Sequence, residues 1–221
     1  MNVLVATPMR MSTRTAFQER SQEIFDSLTH PDKERAVLVN NIPRRRGDPR
    51  YRPNAKARNM LIDLHLRDRH THVLWIDSDL VTVPADIIEQ LAEVSTEDIV
   101  APLVYMETLD PDRSPSDCNG GWFYDIGGFI QNGEWTDKWN PTFEGEGNVI
   151  ELDSVGSCYL IPASVYRQGI RYSAEGKYVE HQFLMEEARA AGYRVYARRD
   201  VIVEHAFLPK YGEGWNERFL R

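Results

Sequence analysis

Three groups of residues have the types and spacing to do chemistry. Asp77-Ser78-Asp79 places two carboxylates at i and i+2, directly after the apolar run VLWI. On extended backbone those side chains leave the same face. Two like charges so close are unfavourable alone, and a divalent cation held by oxygens removes the conflict. The competing reading is a strand-to-helix turn, where Asp is common. Glu180 is the second group. It extends by one turn the helical stripe of Leu184, Ala188 and Ala191, so it points toward the core or a cleft. A first-turn acid is also favoured by the helix dipole, but a buried carboxylate is costly without a partner. His205 is the third. It ends the apolar run Val201 to Val203 and suits a metal ligand beside an acidic pair. Of the other histidines, His30, His65, His70 and His72 lie in polar or helix-end settings and are expected to be solvated, and His181 is a neighbour of the site.

The elements that must position these groups alternate. Short apolar runs at Val3–Ala6, Ala36–Val39, Val73–Ile76 and Asp98–Val104 read as strands. Helices are expected over Ser21–Leu28, over Ala55–Leu66 with Ala57, Met60, Leu61 and Leu64 on its stripe, and from Pro84. This alternation implies βαβ units and a mainly parallel sheet. Open sheets of this kind bind ligands at the carboxyl ends of their strands, where the acidic pair falls. After Val104 the rhythm breaks. Met106 to Gly121 reads as a long polar loop. Strand-like pieces follow at Gly127–Ile130 and Val149–Ile161, then a helix over Glu180–Ala191 stopped by Gly192, and short strands at Val195–Ala197 and Val201–Val203. The expectation is a single domain over residues 1–207, with a nucleotide-binding half (1–104) and an acceptor or catalytic half (105–207). The tail 208–221 is a candidate lid or a frayed terminus.

Composition narrows the classes. The 221 residues carry 26 Lys and Arg against 34 Asp and Glu, a net charge of −8. That argues against a general nucleic-acid coat. One segment departs from it: Arg44 to Arg58 holds seven cations and one Asp, +6, leaving −14 on the remainder. It could grip donor phosphates, grip a nucleic-acid backbone, or be a solvated charge run. No apolar run is long enough for a membrane span, and the N-terminus has no basic n-region of a signal peptide. Two cysteines, Cys118 and Cys158, make no disulfide framework. The expected setting is cytoplasmic.

Taken together, the residues resemble the GT-A-fold glycosyltransferases, which move a sugar from a nucleotide donor. Asp77-Ser78-Asp79 looks like their DxD motif. Glu180 to Arg194 is similar to their ED-x-x-x-x-x-x-A-x-x-x-G pattern, with His181 where Asp is common, and His205 matches their late metal-ligand His. Ala57-Arg58-Asn59 resembles the ARN segment that precedes the DxD strand. The order ARN, VLWIDSDLV, DIVAP, a VGS segment and the Glu helix resembles the Anp1-type mannosyltransferases of the fungal mannan polymerases and small bacterial or phage relatives, over residues 1–207. His181 and the missing membrane anchor depart from that pattern.

The resemblance implies a single Rossmann-like GT-A domain, a nucleotide-diphosphate sugar donor with GDP-mannose favoured, and Mn²⁺ or Mg²⁺ between the phosphates. It implies that Asp79 and His205 hold the metal, with Asp77 on the ribose or on the metal through water. Thr7, Pro8 and Arg10 would lie beside the base, and Arg58, Asn59 and Ser78 by the nucleotide. Gly156 would leave room for the donor sugar, or else mark a bulge or a crowded backbone. Lys210 would pair with the diphosphate. Glu180 would be the catalytic base of an inverting enzyme, or would orient the acceptor in a retaining one. Trp122, Tyr124, Trp135 and Trp139 are candidate stacking platforms, at least half of them expected to be core. The acceptor would be a glycan or modified DNA. A nucleotidyltransferase is the first alternative, although TPMRMSTRT lacks the glycines of a phosphate loop. The second is a non-catalytic module binding nucleotide-sugars or glycans.

Overall fold

A computed structural model describes residues 1–10, 15–40, 42–43, 51–107, 123–125, 127–136, 143–175 and 179–206. The first half of the chain forms β1 (Val3–Arg10), α1 (Thr15–Ser27), β2 (Lys33–Asn40), α2 (Arg52–His65), β3 (His72–Ile76), β4 (Leu80–Thr82), α3 (Ile87–Ala92) and β5 (Ile99–Met106). The second half forms β6 (Ile130–Gln131), β7 (Glu134–Trp135), β8 (Val149–Leu152), β9 (Cys158–Pro162), α4 (Ala163–Arg167), α5 (Glu180–Ala190) and β10 (Val195–His205).

One eight-stranded sheet organises these elements, in the order β2-β1-β3-β9-β5-β10-β4, with β8 also on β10. β1 is parallel to β2 and β3, and β10 is parallel to β5. β9 runs antiparallel to both β3 and β5, so β1, β2, β3, β5 and β10 share one direction. The sheet is thus largely parallel, as expected. It departs from that pattern at β9, β8 and β4.

Period-2 alternation sends neighbouring side chains to opposite faces, and each face has its own core. Leu4, Ala6, Val73, Trp75, Ile99, Ala101, Tyr159 and Ile161 pack with residues of α2, α4 and α5. Val3, Val5, Leu74, Ile76, Val100, Cys158 and Leu160 pack with residues of α1 and α3. Helices on both faces explain why β3, β5 and β9 are buried at every position and read as unbroken apolar runs.

Several boundaries differ from expectation for local reasons. Val149–Ile161 is two strands, because residues 153–157 leave β8 on one side of the sheet and enter β9 on another. Val195–Ala197 and Val201–Val203 are one strand, interrupted where the pairing with β5 jumps from Arg198–Pro102 to Ile202–Leu103. The extra β10 residues lie opposite Pro102, which has no N–H for a regular rung. Gly127–Ile130 contributes only Ile130 to a strand. Ile130–Gln131 and Glu134–Trp135 form a tight hairpin through Asn132 and Gly133, both at positive φ (54° and 76°), the pairing a two-residue turn demands. Pro84 does not open α3 but precedes it, its carbonyl accepting the Ile87 N–H at 3.1 Å. The buried stripe of α2 is Ala55, Ala57, Arg58, Leu61 and Ile62. Met60 and Leu64, expected inside, are exposed. α5 ends as expected: Gly192 at φ 97° lets Tyr193 N–H reach the Ala188 carbonyl at 3.1 Å. Ala191, expected on its buried stripe, is exposed.

His30, His70 and His72 are buried, not solvated. Each ties separate segments together: His30 joins Glu89 (2.7 Å) to the Met1 carbonyl (3.1 Å). His70 accepts the Arg67 N–H at 3.0 Å and faces Glu34 at 3.2 Å. His72 joins Thr71 Oγ1 (2.9 Å) to the Thr96 carbonyl (2.8 Å). An imidazole surrounded by such partners can be buried at little cost.

Candidate functional site

The site is built where β3, β4 and β10 end. β3 delivers Asp77, whose N–H donates to the Ser157 carbonyl at 3.1 Å. Its carbonyl accepts the Leu80 N–H at 3.2 Å, closing a tight turn that places Asp79 just before β4. The end of β10 pairs antiparallel with β4, His205 opposite Leu80, and the Ala206 N–H donates to the Asp79 carbonyl at 2.8 Å. Strand pairing thus carries His205 to Asp79 across 126 positions of sequence.

The two side chains face each other. His205 Nε2 lies 3.0 Å from Asp79 Oδ2, without a well-aligned hydrogen bond. On the other side of the ring, Nδ1 is 2.9 Å from the Ala206 carbonyl. A carbonyl only accepts, so Nδ1 carries a proton and Nε2 is the atom left facing Asp79. The Tyr124 ring stacks on the imidazole, centroids 3.5 Å apart and planes 16° apart, fixing its orientation. A protonated Nδ1 bound to a carbonyl is the supporting interaction that metal-ligating histidines use. A fully buried Nε2 with no aligned partner, facing a carboxylate oxygen, fits a divalent cation. Among the described residues, however, no group of three or more His, Cys, Asp or Glu gathers to hold a metal. Burial would raise the Asp79 pKa, but the contact with His205 outweighs it and holds the carboxyl low. Burial would likewise lower His205, but Asp79 raises it.

Asp77 is oriented differently. Its Oδ1 accepts from Arg58 Nη2 at 2.6 Å. Its pKa is nevertheless raised, by burial first, against the pull of Arg58, and by the neighbouring Asp79. Arg58 comes from α2 and is 2 % exposed. Its guanidinium lies over the Trp75 ring (4.9 Å) and the Tyr172 ring (5.7 Å). Tyr172 is in turn held by Asn59, which donates to its carbonyl and accepts its N–H, both at 2.9 Å. Tyr172 also shares a buried hydroxyl network with Tyr159, Tyr166 and the Trp75 indole N–H. Beyond Arg58 lies Glu180, also 2 % exposed, its Oε1 3.9 Å from Arg58 Nε and 3.7 Å from His181 Nε2. Burial pushes the Glu180 carboxyl up, against the pull of Arg58. Burial and Arg58 together push His181 well down, so that imidazole is neutral.

Sequence reasoning missed Asp125. This buried carboxylate accepts the Ser157 N–H at 2.7 Å, and Ser157 in turn receives the Asp77 N–H. Burial and the nearby Asp77 push the Asp125 pKa up to about 7. Gly156 and Gly128 press against it. A Cβ on Gly156 would sit 2.6 Å from Asp125 Oδ2 and 2.7 Å from its Cγ. One on Gly128 would sit 2.7 Å from Gly156 Cα. A carboxylate between two pairs of glycines, just before the strand-like piece Gly127–Ile130, was the signal available.

The other expected site residues divide. Gly156 lies against the Asp125 carboxylate, where a Cβ would clash, which accords with the backbone-crowding reading. Asn59 uses one amide N–H and one lone pair of its oxygen on Tyr172, which leaves its second N–H and second lone pair uncommitted to Tyr172. Thr7, Pro8 and Arg10 lie within β1 and not after it. They pair with Val37, Leu38 and Asn40 of β2. The β1–β3 pairing stops at Ala6–Trp75, so Pro8 borders the gap between the strand ends, where its missing N–H costs no rung on that side. Ser78 is half-buried in the turn between the two aspartates. Of the four aromatics, Tyr124 packs on His205 and Trp135 stands 55 % exposed on the β6–β7 hairpin. Trp122, Trp139, Lys210, the tail 208–221 and most of the basic segment's arginines lie outside the described residues. Arg58, counted among that segment's cations, faces inward to two carboxylates and offers no charge to an outside polyanion. Cys158 is a buried thiol, and Cys118 is outside the described residues. Among the described residues, no helix is long and apolar enough to cross a membrane.

Comparison with known proteins agrees with this architecture. A family model described as Anp1 matches residues 33–136. The Mannan polymerase II complex ANP1 subunit of Saccharomyces cerevisiae is 27% identical over 186 residues, 73% of this chain and 37% of that protein. The Vanadate resistance protein of Candida albicans is 25% identical over 177 residues, 70% of this chain and 40% of that protein. The chain therefore spans about two fifths of the length of these curated relatives. Among solved structures, S. aureus TarS (residues 1–349) superposes with a TM-score of 0.55 at 13% identity, covering 95% of this chain and 61% of that one. GalNAc-T7 with UDP, GalNAc and Mn²⁺ superposes with a TM-score of 0.54 at 12% identity, covering 94% and 44%. The fold is that of the GT-A glycosyltransferases, and the sequence resembles the Anp1-type proteins.

Proposed function

We propose that this chain is a metal-dependent glycosyltransferase that takes its sugar from a nucleotide-diphosphate donor. The carrying observation is the Asp79–His205 pair: a buried imidazole with Nδ1 committed to a carbonyl and Nε2 facing a carboxylate at 3.0 Å. Asp79 and His205 would hold Mn²⁺ or Mg²⁺, and the diphosphate would supply oxygens that the protein does not. When bound, the cation neutralises charge that builds on the leaving diphosphate. Tyr124 keeps the imidazole in plane, and Asp77 stands beside the pair to meet the donor. The gap between β1 and β3 beyond Ala6 is where the base would enter, at the point where strand order reverses. The likeness to mannan polymerase subunits favours GDP-mannose and retaining chemistry, and a glycan as acceptor over modified DNA. Residues 1–207 would then work as one domain.

The test is thermal melting with GDP-, UDP-, ADP-, CMP- and dTDP-linked sugars, with and without Mn²⁺. A ligand at a hundred times its Kd stabilises by about 2.7 kcal/mol. A Mn²⁺-dependent rise with one nucleotide, strongest for GDP-mannose, is expected. No rise with any donor overturns the reading in favour of a module without donor chemistry.

A further inference from the structure

We propose that Glu180 is a positioning residue that acts on Asp77 through the buried Arg58, and does not itself touch an acceptor. This rests on the reading that the acidic pair serves a metal-bound donor. A base must come within hydrogen-bond reach of the proton it takes. Glu180 is 2 % exposed and lies behind Arg58, which stands between it and Asp77. Its two nearest cationic or potentially cationic atoms are Arg58 Nε at 3.9 Å and His181 Nε2 at 3.7 Å. His181 is neutral, so among the described residues of this group Arg58 is the cation that the two carboxylates share.

The sharing is unequal by geometry. Arg58 makes its short contact, 2.6 Å, with Asp77, while its Nε and Nη1 are buried without hydrogen-bond partners. The guanidinium cannot turn to improve either contact. Trp75 and Tyr172 hold its plane, and Asn59 locks Tyr172 from the next position on α2. The ARN segment is thereby explained as a unit: Ala57 packs in the core, Arg58 carries the charge, and Asn59 fixes one wall of the box around it. Glu180 draws part of the Arg58 charge away from Asp77. Asp77 then keeps enough negative charge to serve a cation-bound donor. With Glu180 neutral, the whole of that charge falls on Asp77 and makes it a poorer partner for a cation.

The experiment is an unfolding cycle in urea on the full chain without ligands, using Asp77→Asn, Glu180→Gln and the double variant, with Arg58 intact and again with Arg58→Met. Groups that share a partner are coupled. With Arg58 intact, the double variant should lose at least about fivefold more in folding constant than the product of the two single losses. The second loss leaves the arginine buried with no carboxylate. With Arg58→Met the two effects should multiply independently. Independent effects with Arg58 intact overturn the proposal. If Arg58→Met does not fold, Arg58→Lys serves, since a point charge lacks the fork that spans both carboxylates. Calorimetry with Mn²⁺ and GDP supplies the functional arm. Glu180→Gln should weaken binding by about fivefold or more, and Glu180→Gln on Arg58→Lys should add nothing further. Unchanged binding in Glu180→Gln overturns the proposal. Wild-type protein that binds no Mn²⁺ with GDP or UDP overturns the donor reading instead, and the unfolding cycle then decides the coupling alone.

Discussion

At the scale of single residues, charge is placed in pairs and each pair has a distinct duty. Asp79 and His205 face one another across a strand pairing, with the metal proposed between them. Asp79→Ala and His205→Ala should each abolish the Mn²⁺-dependent part of the melting shift while leaving metal-free melting within a few degrees. Retention of the shift in both variants would remove them from the metal site. Asp125 gives a pH prediction with a definite sign. Its folded pKa, about 7, lies above its ordinary value of 3.8, so the native state binds the proton more tightly than the unfolded chain. Its contribution is therefore most favourable below pH 3.8 and declines as pH rises to about 7, by up to about 4 kcal/mol. Metal-free wild-type protein should lose stability between about pH 4 and 7 and change little from this group above that. Asp125→Asn, which can still accept the Ser157 N–H, should lack most of that slope, and an unchanged slope in the variant would refute the assignment.

At the scale of elements, the short connection between β8 and β9 does more than join strands. Its Ser157 carbonyl receives Asp77, its Ser157 N–H is held by Asp125, and Gly156 makes room for that carboxylate. Gly156→Ala forces a Cβ onto a buried carboxylate that cannot move aside, and should cost about 1–3 kcal/mol. Gly127→Ala, where a Cβ meets nothing within 4 Å, should cost little. Equal melting losses in the two variants would contradict the packing. Legibility in the sequence also divides at this scale. Strands buried on both faces announced themselves as apolar runs, and Gly192 marked the end of α5. The acidic pair, Glu180 and His205 were singled out by type and by position at the ends of elements. What stayed hidden was non-local. The α2 stripe was misjudged because Arg58, a charged residue, joins Leu61 and Ile62 on the buried face, which leaves Met60 and Leu64 outside. The buried histidines were misread because their partners lie as much as 59 positions away. Asn132-Gly133 was a local signal for a hairpin, and it went unused because the strands it joins are only two residues long.

At the scale of the whole molecule, the sheet separates two kinds of ends. The amino ends of β1 and β3 are closed by His70, His72 and the Asn2–Thr71 contacts, which fasten chain to chain. The carboxyl ends hold every charged group proposed to meet a ligand. Substitutions at the fastened end should alter melting without altering ligand response. His72→Ala is expected to lower the melting temperature while Mn²⁺ with nucleotide still raises it by the wild-type increment. A lost increment would show that the two ends are not independent.

β10 is the latest described strand in the sequence, yet it sits inside the sheet between β5 and β4. A ribosome would release β1 through β5 well before the strand that must slot between two of them. Until it arrives, Asp79 has no imidazole opposite it, and β4 and β5 present open edges. Long-range pairings of this kind are slow and invite association. Capacity for Mn²⁺, on the proposed reading, would therefore be acquired only once β10 has been released, and cation uptake during refolding would time the insertion of β10 rather than the collapse that precedes it.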